Sequence, residues 1–319
     1  MCKITLALAL WAAALTANGQ TYPSRPIHVI APFPPGASID IVARTVGQVM
    51  SDSMGQPFVV DNKAGASGAI GTEFLARSSA DGYTIGIGNP STHVLPVVLK
   101  KKLAFDAVKD FAPLSLIAKN VLAIAVHPSL PVKSIRELVD YSKSRPGALS
   151  FSSPGNGTTH HLIGEMLNHV TGMDMLHVGY RGGGPAMADL LSGHVSVGVV
   201  SLTTVMPYAK TGRSRLIAII DDRRYPDMPD IPTGAESYPG FDAKASWVGI
   251  LAPAGLPSAI EAKLHTEIVK ALGNADVRKR FQANGFEIIG STPAEFRNVI
   301  ASDISLWSKV AQARHISAE

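Results

Sequence analysis

The chain has 319 residues, 46% of them hydrophobic, with 29 Lys and Arg against 25 Asp and Glu and a net charge of +4 at pH 7. That length exceeds what one core usually serves, so two lobes are expected, and the mild positive bias suits anions while arguing against nucleic acid as a partner. The single cysteine, Cys2, excludes a disulfide scaffold, a cysteine nucleophile and thiolate metal sites from the mature chain.

Residues 1–19 read as a signal peptide. Lys3 forms a short basic region, Ile4 to Thr16 is apolar but too short to span a bilayer, and Ala17-Asn-Gly19 is an A-x-A-like end. Cleavage is expected after Gly19, with Ala17 as the alternative. Cys2 precedes the apolar run, whereas a lipoprotein cysteine follows it, so no lipid anchor is expected. The chain should therefore be exported to the periplasm.

Strands are expected at 27–33, 57–60, 83–88, 122–126, 149–152, 176–180, 195–200, 215–220 and 247–251, with helical periods between them. Ile41, Val42, Thr45, Val46, Val49 and Met50 share one helical face. Ser134-Ile-Arg-Glu137, Ser258-Ala-Ile-Glu261 and Thr292-Pro-Ala-Glu295 fit the capping box, and Gly285 fits a helix stop. The alternation argues for an α/β fold with mostly parallel sheets. No linker separates two halves, so the chain should cross between lobes more than once, near 118–122 and 220–225. The Pro-rich stretch Tyr225–Pro232 reads as an extended return. Lobe one would be 20–120 plus 226–319, and lobe two 121–225.

Two stretches share one design of apolar strand, Gly/Pro loop with hydroxyl residues, then amphipathic helix. They run through Pro34-Pro-Gly-Ala-Ser38 and Ser153-Pro-Gly-Asn-Gly-Thr-Thr159. A helix N-terminus leaves backbone N–H groups unpaired and favours negative charge. Two such loops, one per half, suggest a carboxylate gripped from both sides. The plainer reading of the first is an ordinary turn with Ser38 as N-cap, and Asp40 either competes for the same amides or braces the loop. Tyr180-Arg-Gly-Gly-Gly-Pro-Ala186 and Gly88-Asn-Pro-Ser-Thr-His93 are further junctions of this kind. Arg181 either forks a carboxylate or sits in solvent. His161, Glu165 and His169 have a metal-like spacing, but simple i,i+4 pairing explains them. His28 reads as a core residue, and Lys100-Lys-Lys102 as a solvated turn. G-x-S-x-G, S-x-x-K and Walker A motifs are missing.

On these residues the chain resembles the periplasmic solute receptors of tripartite tricarboxylate transporters, often called Bug-type receptors. The matching segments are Tyr22-Pro-Ser-Arg-Pro-Ile27, Pro32-Phe-Pro-Pro-Gly36 with Asp40 and Ala43-Arg44, Gly55-Gln-Pro57, Val60-Asp-Asn-Lys-Ala-Gly-Ala66 with Gly71, and Asp81-Gly-Tyr-Thr84. Asp110-Phe-Ala-Pro113, Ser153–Gly157, Tyr180-Arg-Gly with Pro185-Ala186, and Ala252-Pro-Ala-Gly255 complete the set. The resemblance implies a two-lobed periplasmic-binding-protein fold, a Venus flytrap of the type II-like kind, with a central cleft. It implies that the loop after the first strand and the glycine-rich loop of the second lobe hold one carboxylate, partly through water. The family usually has two glycines where this chain has Gly36-Ala37.

The expected ligand contacts are Phe33, Gly36, Ala37, Ser38, Asp40, Asn89 and Thr92 from lobe one. From lobe two they are Ser153, Gly155, Asn156, Gly157, Thr158, Tyr180 and Arg181. No catalytic residue, cofactor or metal is expected. The expected partners are a small organic carboxylate (dicarboxylate, tricarboxylate, amino acid or aromatic acid) and membrane transporter subunits, with a monomeric chain. The rivals are an orphan sensor that presents ligand to a signalling protein, and a hydrolase or lyase using His93, His160 or Asp40 as base.

Overall fold

The computed structural model describes residues 22–313, so the signal-peptide expectation lies outside the described residues. Two sheets form the frame. The first has the order β11-β4-β10-β3-β1-β2 and the second β7-β6-β8-β5-β9. The strands of the first sheet are β1 (Ile27–Ala31), β2 (Phe58–Asn62), β3 (Thr84–Gly88), β4 (Phe111–Asn120), β10 (Ser246–Pro253) and β11 (Phe286–Ile288). Those of the second are β5 (Leu122–Val126), β6 (Ser150–Ser153), β7 (Leu176–Gly179), β8 (Val197–Ser201) and β9 (Arg215–Ile220).

The nine expected strands are present. Two others, β4 and β11, lacked a strand signal. Pro113 sits inside β4 and demotes it by pattern, yet β4 pairs along its length with β10.

The sheets are mixed, which corrects the expectation of mostly parallel ones. β1, β2 and β3 run parallel, as do β6, β7 and β8. β10 is antiparallel to β3 and β4, and β5 is antiparallel to β8 and β9. The reason is topological. β5 and β10 each follow a crossing from the other sheet and enter from the opposite end.

The first crossing is direct: β4 ends at Asn120 and β5 begins at Leu122. The second lies later than the pattern suggests. The Pro-rich stretch stays with the second sheet, where Ile219 N–H donates to the Pro232 carbonyl at 2.8 Å and Met228 and Ile231 pack near Val121 and Ile219. The prolines keep this segment extended, and its two apolar side chains pin it to β9.

Helices cover the sheets. α1 (Ser38–Met54) buries Ile39, Val42, Ala43, Val46 and Met50 against the first sheet, beside Leu264 and Ile268 of a later helix. Ser134 caps its helix by accepting from Glu137 N–H at 3.1 Å, and Thr292 with Glu295 forms the expected box. The Ser258 box does not form, because Pro257 is the N-cap and Ser258 is already helical. His28 is exposed and pairs with Asp61 at 2.8 Å on neighbouring β2, which corrects its core assignment.

A candidate anion site at converging helix N-termini

Four helices of at least nine residues begin at one cavity between the sheets: α1, α2 (Thr159–Thr171), α3 (Gly183–Ser192) and α4 (Leu202–Lys210). The first half supplies Phe33, Ala37, Ser38, Ile39, Asn89 and Ser91 to its wall. The second half supplies Pro154, Thr158, His160, Gly183, Ser201 and Thr204. The cavity measures about 30 Å³, and no charged side chain lines it.

The amides matter most. α1, α3 and α4 have no side-chain cap for their first-turn N–H groups, although in α4 Leu202 N–H donates to the Val121 carbonyl at 2.8 Å. α2 is capped, since Thr158 Oγ1 accepts from His161 N–H at 3.3 Å. Unpaired donors and aligned dipoles at one point make a site for negative charge without any cation.

In the first loop the residues divide. Asp40 braces the turn and does not line the cavity: its Oδ2 accepts from Gly36 N–H at 2.9 Å and from Arg44 Nε at 3.1 Å, while Oδ1 accepts from Asn62 Nδ2 at 2.9 Å. Although burial opposes its charge, bonds from Arg44, Gly36 and Asn62 hold its carboxyl below the usual range. Gly36 therefore has no amide to offer, and Ala37 N–H turns to the Pro34 carbonyl at 3.2 Å. Ala37 is the N-cap and Ser38 the first helical residue; Ser38 and Ile39 both line the site, and no side chain caps their amides.

The second glycine loop is knit largely to itself. Gly155 N–H donates to Ser153 Oγ at 3.2 Å, and Gly157 N–H to His161 Nδ1 at 3.0 Å. Ser153 Oγ also pairs with His177 Nε2 at 2.7 Å. Only Thr158 of the expected residues in this loop reaches the cavity. Asn156 and Thr92 line a neighbouring, larger cavity. Tyr180 donates its hydroxyl to Asp189 at 2.6 Å, and Arg181 is exposed.

Sequence reasoning missed Ile39, Ser91, Pro154, Gly183, Ser201 and Thr204, and weighed His160 only as a base. The Val197–Ser201 strand running straight into a helix was a legible signal of the same design. His160 and Asn120 had none. His160 Nε2 pairs with Ser201 Oγ at 3.2 Å, while its buried Nδ1 has no protein partner. Asn120, at the end of β4, donates to Ser201 Oγ at 3.1 Å and Ser38 Oγ at 3.4 Å, and its buried Oδ1 is unpaired. It ties the two halves together where the chain crosses.

The family model for the tripartite tricarboxylate transporter family receptor matches residues 42–316. The chain belongs to this receptor family. The receptor is 35% identical to Protein BugT of Bordetella pertussis over 301 residues, which is 94% of this chain and 92% of that protein. It also resembles the solved structure of R. palustris Rpa4515 with adipate, at 32% identity and a TM-score of 0.89 over 93% of this chain and 99% of that one. MatC from Rhodopseudomonas palustris with bound malate is similar at 30% identity, with a TM-score of 0.86 over 91% and 99%. The fold is that of the periplasmic binding proteins, a Venus flytrap of two α/β halves.

Two residues of this receptor weighed as bases are buried and neutral. Burial pulls the His93 pKa down to about 3 and that of His160 to about 4. Among the described residues, no group of three or more His, Cys, Asp or Glu could hold a metal. His161 instead lies 3.6 Å from Glu165 and stacks on His177 at 3.8 Å.

The neutral histidines set a pH dependence. The unfolded chain protonates them near pH 6.5, whereas the folded receptor resists to about pH 4 or below. Their stabilisation is thus fully present above about pH 6.5 and declines as the pH falls toward 4. At pH 5 His93 and His160 should each cost about 1–2 kcal/mol relative to pH 7. Thermal unfolding should show a Tm about 5–10 °C lower at pH 5. Equal Tm values at the two pH values would contradict the neutral burial of these rings.

Proposed function

We propose that the receptor captures a small organic carboxylate between its two halves in the periplasm and delivers it to the membrane subunits of a tripartite tricarboxylate-type transporter. The observation that carries this is the convergence of uncapped helix N-termini from both halves on one uncharged cavity. A cavity of about 30 Å³ takes about two water-sized groups. That suits the two oxygens of one carboxylate, held by the Ser38 and Ile39 amides, by the first turn of α3, and by the Ser201 hydroxyl. His160, which lines the cavity, has a buried Nδ1 with no protein partner. The adipate and malate bound to the two related structures are carboxylates of this kind.

Closure follows from where the contacts lie. An anion that touches both halves binds the closed form better than the open one, and only that difference can shift the equilibrium. Besides the Asn120–Ser201 bond, other hydrogen bonds already join the halves near the site. Thr159 N–H donates to Ser91 Oγ at 3.1 Å, and Ser67 Oγ donates to the Asn156 carbonyl at 2.6 Å. A binding role without turnover fits the site chemistry, since Asp40 is fully engaged and the candidate histidines are buried and neutral.

The test is a thermal-shift screen of the chain from Gln20 onward, stripped of co-purified ligand, against dicarboxylates, tricarboxylates, amino acids and aromatic acids. Ligand at 100 times its Kd should stabilise by about 2.7 kcal/mol. A selective rise in Tm for one acid class is expected. No rise with any acid would overturn the proposal.

A further inference from the structure

Beside the anion site lies a second cavity of about 590 Å³, and Ser91 lines both. Its wall includes Lys100, Lys101 and Lys102 and no acidic residue. Three non-glycine residues among those described have a positive φ: Ala66 at 47°, Ser67 at 55° and Lys100 at 50°. All three line this cavity. Such backbone strain persists only where the surrounding structure enforces it, and it gathers at functional sites.

The strain at Lys100 has a visible result. The helix Leu95–Val98 ends with Lys101 N–H donating to the Pro96 carbonyl at 2.9 Å, which makes Lys100 the left-handed residue of a Schellman turn, a place usually taken by glycine. The turn sends the next side chain inward. Lys101 is partly buried, and a Cβ placed on Gly157 would collide with its Nζ. Burial lowers the Lys101 pKa, and no neighbouring charge offsets this. The expectation of a solvated turn at 100–102 therefore fails at its middle residue. A half-buried ammonium without an anionic partner is costly, and it points to an anion that comes from outside the chain.

We propose that Lys101 binds a second carboxylate of the ligand, so that the receptor selects di-acids whose far end reaches the outer cavity. The inference rests on the carboxylate reading above and specifies its substrate class. One carboxylate would lie at the helix N-termini, and the chain would pass Ser91 toward Lys101. Phe105 and Leu99, which line the same cavity, would pack against its methylenes.

Calorimetric titration decides it. The full mature chain is titrated with succinate, glutarate and adipate, and with butyrate, valerate and hexanoate as partners lacking the second carboxylate. The wild type should prefer at least one di-acid over its matched mono-acid by tenfold or more. Lys101→Met should reduce that ratio at least tenfold, and Lys101→Arg should keep most of it. Lys143→Met, on an exposed helix face, controls for net charge and should leave the ratio unchanged. A wild type without di-acid preference, or a Lys101→Met variant with an unchanged ratio, overturns the proposal while mono-acid binding sustains the carboxylate reading. If the wild type binds none of the six, the di-acid proposal falls, and the wider panel of tricarboxylates, amino acids and aromatic acids decides the carboxylate reading.

Discussion

Gly183→Leu is expected to abolish carboxylate binding while leaving the fold intact. Gly183 lines the anion cavity as the first residue of α3. Its backbone does not have a positive φ, and an added Cβ would meet only Thr204 Oγ1 at 3.8 Å, an ordinary contact. Neither strain nor collision therefore opposes a Cβ there. Leucine is also the better helix former. What it removes is space: the cavity of about 30 Å³ takes only about two water-sized groups, and an isobutyl group from Gly183 would compete with the carboxylate for it. Affinity should fall more than 100-fold, with the Tm of the ligand-free protein within about 3 °C of wild type. Gly184→Leu is the matched control. A Cβ at Gly184 meets nothing within 4 Å, and the residue does not line the cavity, so binding should persist. Full affinity in Gly183→Leu would remove the site from this cavity.

The second large effect is on stability. Gly71 lies on the helix Ala69–Ala76, which packs against the start of the anion loop. A Cβ there would lie 2.7 Å from the Lys63 carbonyl oxygen and 2.9 Å from Pro32 Cα. Both are backbone atoms, so no rotamer change relieves the clash, and β1, the loop and the helix must separate. Gly71→Ala should cost about 3 kcal/mol by overpacking, or about 6–12 °C in Tm. Because Pro32 adjoins Phe33, carboxylate affinity should fall as well. Gly273→Ala serves as the comparison, since a Cβ at Gly273 meets nothing within 4 Å. Its Tm should stay level or rise slightly. A neutral Gly71→Ala would mean that the loop and helix are less tightly docked than described.

These two glycines show how the site was legible and where legibility stopped. The loops 34–40, 153–159 and 180–186 stood out because a strand, small residues and a helix follow one another within the chain. All of that is local. Which amides remain free is not. Gly36 and Gly157 were among the expected contacts, yet Asp40 and His161, each four residues further on, take their N–H groups. Ser38 and Ile39 remain because Ala37 carries no capping atom. Ser201, Asn120 and His160 could not be grouped from spacing, for they lie 81 and 41 residues apart along the chain and meet only through sheet pairing.

The fold divides in the same way. Apolar runs and period-3.6 patterns determined nine of the strands and the amphipathic helices, because burying an element constrains residues close in sequence. Ser134 and Thr292 determined their own caps for the same reason. The direction of β5 and β10, the strand nature of β4 around Pro113, and the place of the return crossing were decided by tertiary structure. Each depends on which partner strand lies alongside, and a strand's neighbours are not written in its own residues. Lys101 is the sharpest case. Three consecutive lysines read as a solvated turn, and only the left-handed backbone of Lys100 and the docking of the second half turn the middle one toward Gly157.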